Sequence, residues 1–329
     1  MTARLLLDPL TVVRLVDDAV TAPSMHNAQP WHFVLRRGTA TIELHGDPGR
    51  AMAHADPDHR ALHLGCGAAL FGLRVSAAHR GLRAQVLPLP DPADPWWFAT
   101  VGFSASPEAG PDPAGLHPAL RRRHSSRSPF GDEPVPAPVL AGLAAAARRE
   151  GCRLTIPEPW HVRTVLELAR DAEHREETDP VARAETAAWA HAGPGTGGRN
   201  DGVPVTAFGP RATAGNAAVR DFGRIRTVRG RSRATFEKDP QLALLTTDGD
   251  GPAAWLRAGQ ALHRVLLRAT TDGLATSMTS HPLEWPQLRW AARDPLACAG
   301  HVQMVLRLGY GPPGTPTPRR PAAEVLEVR

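Results

Sequence analysis

The chain has 329 residues, 42% hydrophobic and 22% charged, with a formal net charge of +5. That length supports two domains or one large intertwined unit with a substantial core. The 33 prolines and 30 glycines are spread along the chain, which argues against a low-complexity block.

Residues 1–20 carry Arg4, Asp8, Arg14, Asp17 and Asp18, so no signal-peptide apolar core is expected there. No apolar run is expected to span a bilayer. Three widely spaced cysteines, Cys66, Cys152 and Cys298, argue against a disulfide framework and for a reducing cytoplasm.

Asp8 and Pro9 read as N-cap and first residue of a helix over 9–21, with Leu10, Val13, Val16 and Val20 on one side. Pro23 and Ser24 break it. The stretch Ala22-Pro23-Ser24-Met25-His26-Asn27-Ala28-Gln29-Pro30-Trp31 then forms a turn, with Pro30 driving Gln29 toward extended geometry. Asn27 and Gln29 offer flat donor–acceptor edges of the kind a heteroaromatic imide face requires. Strands are expected over 31–35 and 41–44, turned at Gly38. Asp56-Pro57 caps a second helix carrying Leu62, Cys66, Leu70 and Leu73, which ends near Gly81. His54, His59 and His63 lack carboxylate or thiolate companions and read as decoration of that helix start, with no metal expected. Strands over 82–87 and 97–103 follow.

Gly110-Pro111-Asp112-Pro113 reads as a joint. Beyond it, Arg122-Arg123-His124-Ser125-Ser126-Arg127-Ser128-Pro129-Phe130 suits a phosphate, because forked guanidinium groups and adjacent hydroxyls and N–H groups form an anion cradle. Helices are expected over 139–149, 160–178 and 180–191, with Asp179-Pro180 between the last two. A Gly/Pro/Arg-rich stretch over 193–234 is too long for a plain loop and reads as a lid. A strand over 242–245 and a helix over 252–271 follow, the helix facing Leu256, Leu262, Val265 and Leu266 inward and ending at Gly273. Gly309-Tyr310-Gly311-Pro312-Pro313-Gly314 matches a dinucleotide-binding formula literally. Its internal prolines, and the absence of a following helix, make it a strand-ending turn.

The stretch from Ala22 to Trp31 resembles the Ala-Pro-Ser-x-x-Asn-x-Gln-Pro-Trp signature of FMN-dependent nitroreductases. The Arg122–Phe130 stretch resembles the Arg-x-Ser-x-Arg-x-Phe opening of the same family. In that family the Arg-Ser motif comes first, and each flavin lies at a dimer interface between one subunit's phosphate cradle and the other's Pro-Ser-x-x-Asn loop. Here the order is reversed. Residues 1–21 hold no Arg-x-Ser-x-Arg, and Gly151–Trp160 keeps only a Pro-Trp. Two degenerate repeats, each retaining half a site, give this order, and the arrangement looks like the Acg-type branch of the superfamily.

The resemblance implies an α+β, nitroreductase-like fold: an intramolecular pseudo-dimer with mixed, mainly antiparallel sheets flanked by helices. Residues 1–112 would be the first repeat and 113–329 the second, with a lid insertion near 193–234. Pro23, Ser24, Met25, His26, Asn27 and Gln29 would form the wall over the ring and its pyrimidine edge. Arg123, Ser125 and Arg127 would hold the phosphate and ribityl chain, with His124 nearby. His281 and Pro282, in Ser280-His281-Pro282-Leu283-Glu284, occupy the place of a loop against the flavin N5. Arg319 and Arg320 occupy that of carboxy-terminal basic residues reaching the phosphate, unless they belong to a solvated tail.

FMN is the implied cofactor and NADPH or NADH the transient reductant. A monomer acting as a pseudo-dimer would pass electrons to nitro compounds or quinones, with no membrane partner. No side chain is required as nucleophile or general acid, although His281 could supply a proton. Two other readings compete with this one. The first is a flavin-sequestering protein whose lid stays closed. The second is an Arg-rich nucleic-acid binder using Arg224, Arg226, Arg229, Arg231 and Arg233, although a single tyrosine leaves little for base stacking.

Overall fold

The computed structural model describes residues 7–105, 111–192, 199–216, 219–296 and 300–329. Arg4, Gly110, Gly193–Gly198 and Cys298 lie outside them. Helix α1 (Pro9–Ala19) starts where Asp8 accepts from the Thr11 N–H at 2.9 Å. Strands β1 (Trp31–Arg36) and β2 (Thr41–Gly46) form the expected hairpin. In α2 (Arg60–His79) the Asp56 carboxylate accepts from the N–H groups of Ala61 and Leu62, at 2.8 and 2.9 Å. Strands β3 (Leu82–Pro88) and β4 (Trp97–Ala105) follow, and then the single turn α3 (Pro111–Ala114) at the joint.

The second half opens with α4 (Ala137–Arg149) and β5 (Arg153–Thr155). It continues with α5 (Pro159–Thr178) and α6 (Pro180–Ala188), divided by Asp179, which caps α6 through the Val181 and Ala182 N–H groups. Short pieces of structure run through the stretch read as a lid and just beyond its ends: β6 (Ala190–His191), which precedes it, beside β7 (Val203–Pro204), β8 (Arg211–Ala214) beside β9 (Arg233–Thr235), and the turn α7 (Phe222–Ile225). It also has its own small core of Ala190, Val203, Ala207, Phe208 and Phe222. Strand β10 (Gln241–Thr247), helix α8 (Pro252–Thr271) and β11 (Ala275–Thr279) come next. Short turns α9 (His281–Glu284) and α10 (Pro286–Ala291) lead to β12 (His301–Gly309), then α11 (Ala322–Val325) and β13 (Leu326–Val328).

The strands make two main sheets, ordered β13-β1-β2-β4-β3 and β11-β12-β10-β5. Only β13 against β1 is parallel within them, so the architecture is α+β with mixed, mainly antiparallel sheets. The wiring repeats. In the first half the strand order β1-β2-β4-β3 has α2 between β2 and β3. In the second, β5-β10-β12-β11 has α8 between β10 and β11. The carboxy-terminal β13 crosses back to extend the first sheet.

Helices α2 and α8 meet at the centre through two glycines. A Cβ on Gly67 would stand 2.2 Å from the Leu256 carbonyl oxygen, and one on Gly259 would stand 2.1 Å from that of Leu64. Each glycine meets the residue three positions before its counterpart, as across a two-fold axis. Helix propensity alone favours alanine over glycine by about 1 kcal/mol. Even so, Gly67→Ala or Gly259→Ala is expected to destabilise by roughly 1–3 kcal/mol, because the helices must separate. A lowered urea midpoint checks this; an unchanged or raised one contradicts it.

The expectation that no apolar run reaches membrane-spanning length needs correction. Helix α2 is long and apolar enough, but 83% of the relevant window is buried inside the protein. Its apolarity serves contacts on all sides, with α1, the first sheet and α8. Cys66 and Cys152 are buried free thiols, and burial pushes Cys152 up to about 12. No His/Cys/Asp/Glu group that could hold a metal occurs among the described residues.

Candidate functional site

The turn after α1 is tightly wound. His26, Asn27 and Gln29 all have positive φ, at 48°, 56° and 53°. Each such residue costs on the order of 1 kcal/mol, and the polar side chains hold the turn in place. Ser24 Oγ accepts from the Gln29 N–H at 2.9 Å. The Asn27 amide donates to the carbonyls of Gly202 and Pro318 at 2.9 and 3.0 Å, and its oxygen accepts from Arg319 at 2.8 Å. Gln29 is fully buried. It donates to the Asn200 carbonyl at 2.7 Å and accepts from the Arg320 N–H at 2.8 Å. This turn therefore ties together the first repeat, the lid and the carboxy-terminal segment.

The Arg-Ser stretch lies along the second sheet. Ser125 bridges Thr276, and the Ser126 N–H donates to the Thr276 carbonyl at 2.8 Å. Its far end is clamped by Arg307, a fully buried β12 cation that pairs with Glu237 and donates to the Ser128 carbonyl at 3.0 Å. The Arg307 guanidinium stands 3.7 Å from the Phe130 ring centroid. Behind the stretch runs the carboxy-terminal segment. A Cβ on Gly314 would stand 2.4 Å from the Ser125 carbonyl, so only glycine permits that approach.

Both stretches line one space made of two adjoining chambers. The first, about 80 Å³, has an apolar wall of Met25, Leu64, Leu262, Met278 and Met304, with Ser24, Ser125 and Arg127 at its edge. The second, about 60 Å³, is lined by Asn27, Arg123, His124, Ser125, Arg127 and Arg319, among others. Pro23, Ser24, His26, Ser125, Arg127 and Met278 belong to both.

Charge decides what this second chamber can hold. Arg123 is buried, and Arg127 and Arg319 are half-buried. Among the described residues none of the three pairs with a carboxylate. Their visible partners are the Thr21 carbonyl for Arg123, the Ala207 carbonyl for Arg127, and for Arg319 the Thr317 hydroxyl at 2.6 Å, the carbonyls of Thr21, Thr317 and Pro318, and Asn27. The Nε atoms of Arg123 and Arg319 and Nδ1 of His124 are buried without a partner in the protein. Burial lowers Arg123 and Arg127 to about 10. Burial and then Arg123 bring Arg319 to about 9. The unfolded chain holds these protons to higher pH, so below that range each burial costs stability, and an anion in the chamber repays it. Inorganic phosphate at constant ionic strength is therefore expected to raise the melting temperature of flavin-free protein more than chloride does. Equal effects of the two salts would count against the chamber.

Four histidines around the site are held neutral. Burial puts His26 and His281 well below their ordinary value. Burial and the neighbouring arginines bring His124 to about 4 and His263 to about 3. Unfolded imidazoles protonate near 6.5 and the folded ones resist, so this stability is complete above that pH and is lost as pH falls below it. His263 alone contributes a loss of about 2 kcal/mol by pH 5. Urea midpoints at pH 7 and pH 5 test this; a midpoint that does not move contradicts it.

Arg220 links the lid to the rest of the site. It donates to Glu176 at 3.0 Å, to Thr186 at 3.3 Å and to His26 Nε2 at 3.2 Å, and it pairs with Glu284. Phe222 packs edge-on against His26 with ring centroids 5.4 Å apart, and the Arg127 guanidinium stands 5.2 Å from the Phe222 ring centroid. A cleft of about 800 Å³ opens on the other side of Arg220, far larger than the chambers. Size alone would make it the ligand site. It is solvent-facing, however, and much of its charge is paired, Arg224 with Glu173 and Glu177 and Arg231 with Asp221. Among the described residues, buried cations without a carboxylate partner line the small chambers instead.

The structure thus gathers Pro23, Ser24, Met25, His26, Asn27, Arg123, His124, Ser125, Arg127 and Arg319 around one space. Four of the expected residues lie outside the two chambers. Gln29 spends its amide inside the protein and lines neither chamber. Arg320 turns away, donating to the Gln29 and Glu324 carbonyls and standing 3.6 Å from the Glu324 carboxylate. Pro282 is buried in α9 and lines no chamber, while His281 lines the cleft beyond Arg220. The solvated-tail alternative for Arg319 fails, because that side chain is packed and bonded. Sequence reasoning missed Arg220 and Phe222, which it read only as part of a long lid, and Met278 and Met304, which only strand register could have pointed inward.

No sequence-family model matches the chain. A Mycobacterium tuberculosis H37Rv protein provisionally named NAD(P)H nitroreductase Rv3131 is 33% identical over 325 residues, covering 97% of this chain and 92% of its own length. The chain belongs to the NAD(P)H nitroreductase family. A second relative from the same organism, provisionally named NAD(P)H nitroreductase acg, is 29% identical over 94% of this chain and 93% of its own. Among solved structures, the FMN- and NADPH-dependent nitroreductase NfnB of Sphigopyxis sp. strain HMH superposes with a TM-score of 0.41 at 18% identity, covering 65% of this chain and 98% of its own. An FMN-bound nitroreductase of Bacteroides fragilis gives 0.38 at 14% identity, covering 62% and 92%. The family assignment rests on the sequence relatives.

Proposed function

We propose that this family member is an FMN-dependent oxidoreductase, taking electrons from NAD(P)H and passing them to nitro compounds or quinones. The observation that carries the reading is the set of three guanidinium groups, Arg123, Arg127 and Arg319, converging without a carboxylate on one chamber beside an apolar slot. That donor set fits a phosphate monoester, and the methionine- and leucine-walled slot matches an aromatic ring system in chemistry; at about 80 Å³ it has to widen to admit one. FMN bound there supplies hydride acceptance and donation. The chain's own residues do the rest. Arg123, Arg127, Arg319 and Ser125 anchor the phosphate, and Pro23, Ser24 and Met25 wall the ring. His26, kept neutral, presents no competing cation. The apolar walls exclude water. The test is flavin content after purification and reconstitution: stoichiometric FMN supports the reading, and a protein that stays colourless in excess FMN overturns it.

The two repeats act as an intramolecular pseudo-dimer, residues 1–112 bringing the Pro-Ser-x-x-Asn turn and 113–329 the phosphate cradle. The repeated wiring and the reciprocal glycine contact of α2 and α8 support that division, and β13 returns to seal it. The working unit is then a monomer carrying one flavin.

A second reading, flavin sequestration, is favoured by the Arg220 clamp and the narrowness of the chambers. Steady-state oxidation of NADPH or NADH with a nitroaromatic acceptor separates the two. Turnover no faster than that of free FMN favours sequestration. The nucleic-acid reading is weakened because Arg224 and Arg231 are engaged with carboxylates of the same chain.

A further inference from the structure

The 800 Å³ cleft beyond Arg220 contains an arrangement that neither the fold nor the flavin site requires. Strands β8 and β9 place Arg211 directly opposite Arg233 in register. Like charges facing each other across a strand pair are destabilising, yet neither side chain forms an ion pair among the described residues, and both are exposed at the rim. Arg170 lines the same cleft and, among the described residues, bonds only the Asn216 side-chain oxygen, at 2.5 Å. The neighbouring Arg224 and Arg231 are neutralised by Glu173, Glu177 and Asp221. The excess positive charge is therefore concentrated at Arg170, Arg211 and Arg233, above a floor that includes Phe208 and Phe236.

The position of the cleft narrows the ligand further. Thr279 and His281 line the cleft while Ser277, Met278 and Ser280, from the same run of chain, line the flavin chamber, and Arg220 touches both spaces. A ligand lying in the cleft has one end beside the chamber and the other between the two facing arginines. We propose that the cleft takes the phosphorylated adenosine end of NADPH, with Arg211 and Arg233 gripping its 2′-phosphate from both strands and Arg170 assisting. This rests on the oxidoreductase reading for its purpose, and it makes the enzyme selective for NADPH over NADH. Guanidinium pairs suit the dianionic phosphate by forked hydrogen bonding, and their mutual repulsion is relieved when it binds.

The test is calorimetric titration of the purified protein with adenosine 2′,5′-bisphosphate and with adenosine 5′-monophosphate, which needs neither flavin nor turnover. Wild type should bind the bisphosphate at least about tenfold more tightly, the size of one charge-assisted contact. In Arg211→Gln/Arg233→Gln that ratio should fall to within about twofold, with Arg211→Gln alone intermediate. The kcat/KM ratio of NADPH to NADH should fall in parallel. Equal affinities in wild type, or a preference that persists in the double variant, overturn the proposal. So does displacement of the bisphosphate by an RNA oligonucleotide at lower concentration, which would make the patch a nucleic-acid surface. A colourless protein that keeps the bisphosphate preference contradicts the flavin reading and leaves the cleft assigned. A yellow protein without it does the reverse.

Discussion

Arg123→Ala/Arg127→Ala is expected to abolish FMN retention while leaving the flavin-free protein nearly as stable as wild type. The binding loss follows from charge-assisted contacts to a phosphate worth about 1.5–3 kcal/mol each, so two of them account for roughly 10²- to 10⁴-fold in affinity. The stability result has a different origin. In the empty protein these side chains are buried cations without counter-charges, and removing them relieves a desolvation cost. That gain offsets the carbonyl contacts to Thr21 and Ala207 and the stacking on Phe222. Fluorescence titration with FMN and a thermal melt of the flavin-free variant read the two effects separately. Stoichiometric FMN in the variant would mean that the phosphate sits elsewhere. Collapse of the flavin-free fold would mean that these arginines are structural.

Arg220→Ala should do the opposite: destabilise strongly and free the cover. Its removal leaves Glu176 and Glu284 facing each other in a buried site, and breaking such a pair from one side costs about 3–5 kcal/mol. Burial already pushes Glu284 up, so part of the loss is recovered by proton uptake. Limited proteolysis should shift to residues 199–236. Adding Glu176→Gln and Glu284→Gln to Arg220→Met should recover most of the lost stability, because the charges then vanish together. If the cover limits turnover, acceptor reduction by Arg220→Ala should rise relative to wild type at a temperature where both are folded. A melting temperature unchanged by Arg220→Ala would remove Arg220 as the clamp.

Local signals carried much of the fold into the sequence. Asp8 and Asp179 each cap a helix that starts at the following proline, as the sequence suggested; Asp56 accepts from Ala61 and Leu62, but α2 starts at Arg60 with His59 in the N-cap position, not at Pro57. Helix α8 runs over the residues its apolar spacing marked. Boundaries drifted where packing overrode pattern, as at α6, which stops at Ala188 because His191 already pairs with the lid. The two stretches that line the chambers were legible because Asn27, Ser125 and Arg127 stand in recognisable strings. Their juxtaposition depends on α2 and α8 crossing at Gly67 and Gly259, which no local pattern announces. Gln29 and Arg320 bond within the protein, which their motif could not show. A polar side chain in a motif can serve the ligand or the loop that presents it, and only the hydrogen-bond partners distinguish the two. Arg220 was invisible because its partners are 44 and 64 positions away in the chain.

On the proposed function, one polypeptide assembles a single flavin pocket from both of its halves. Sedimentation equilibrium combined with flavin quantification on the same reconstituted sample tests it most directly. A monomer of 35.2 kDa carrying one FMN is expected. A flavin count of two per chain, or a flavin held only in a dimer and released on dilution to monomers, would contradict it.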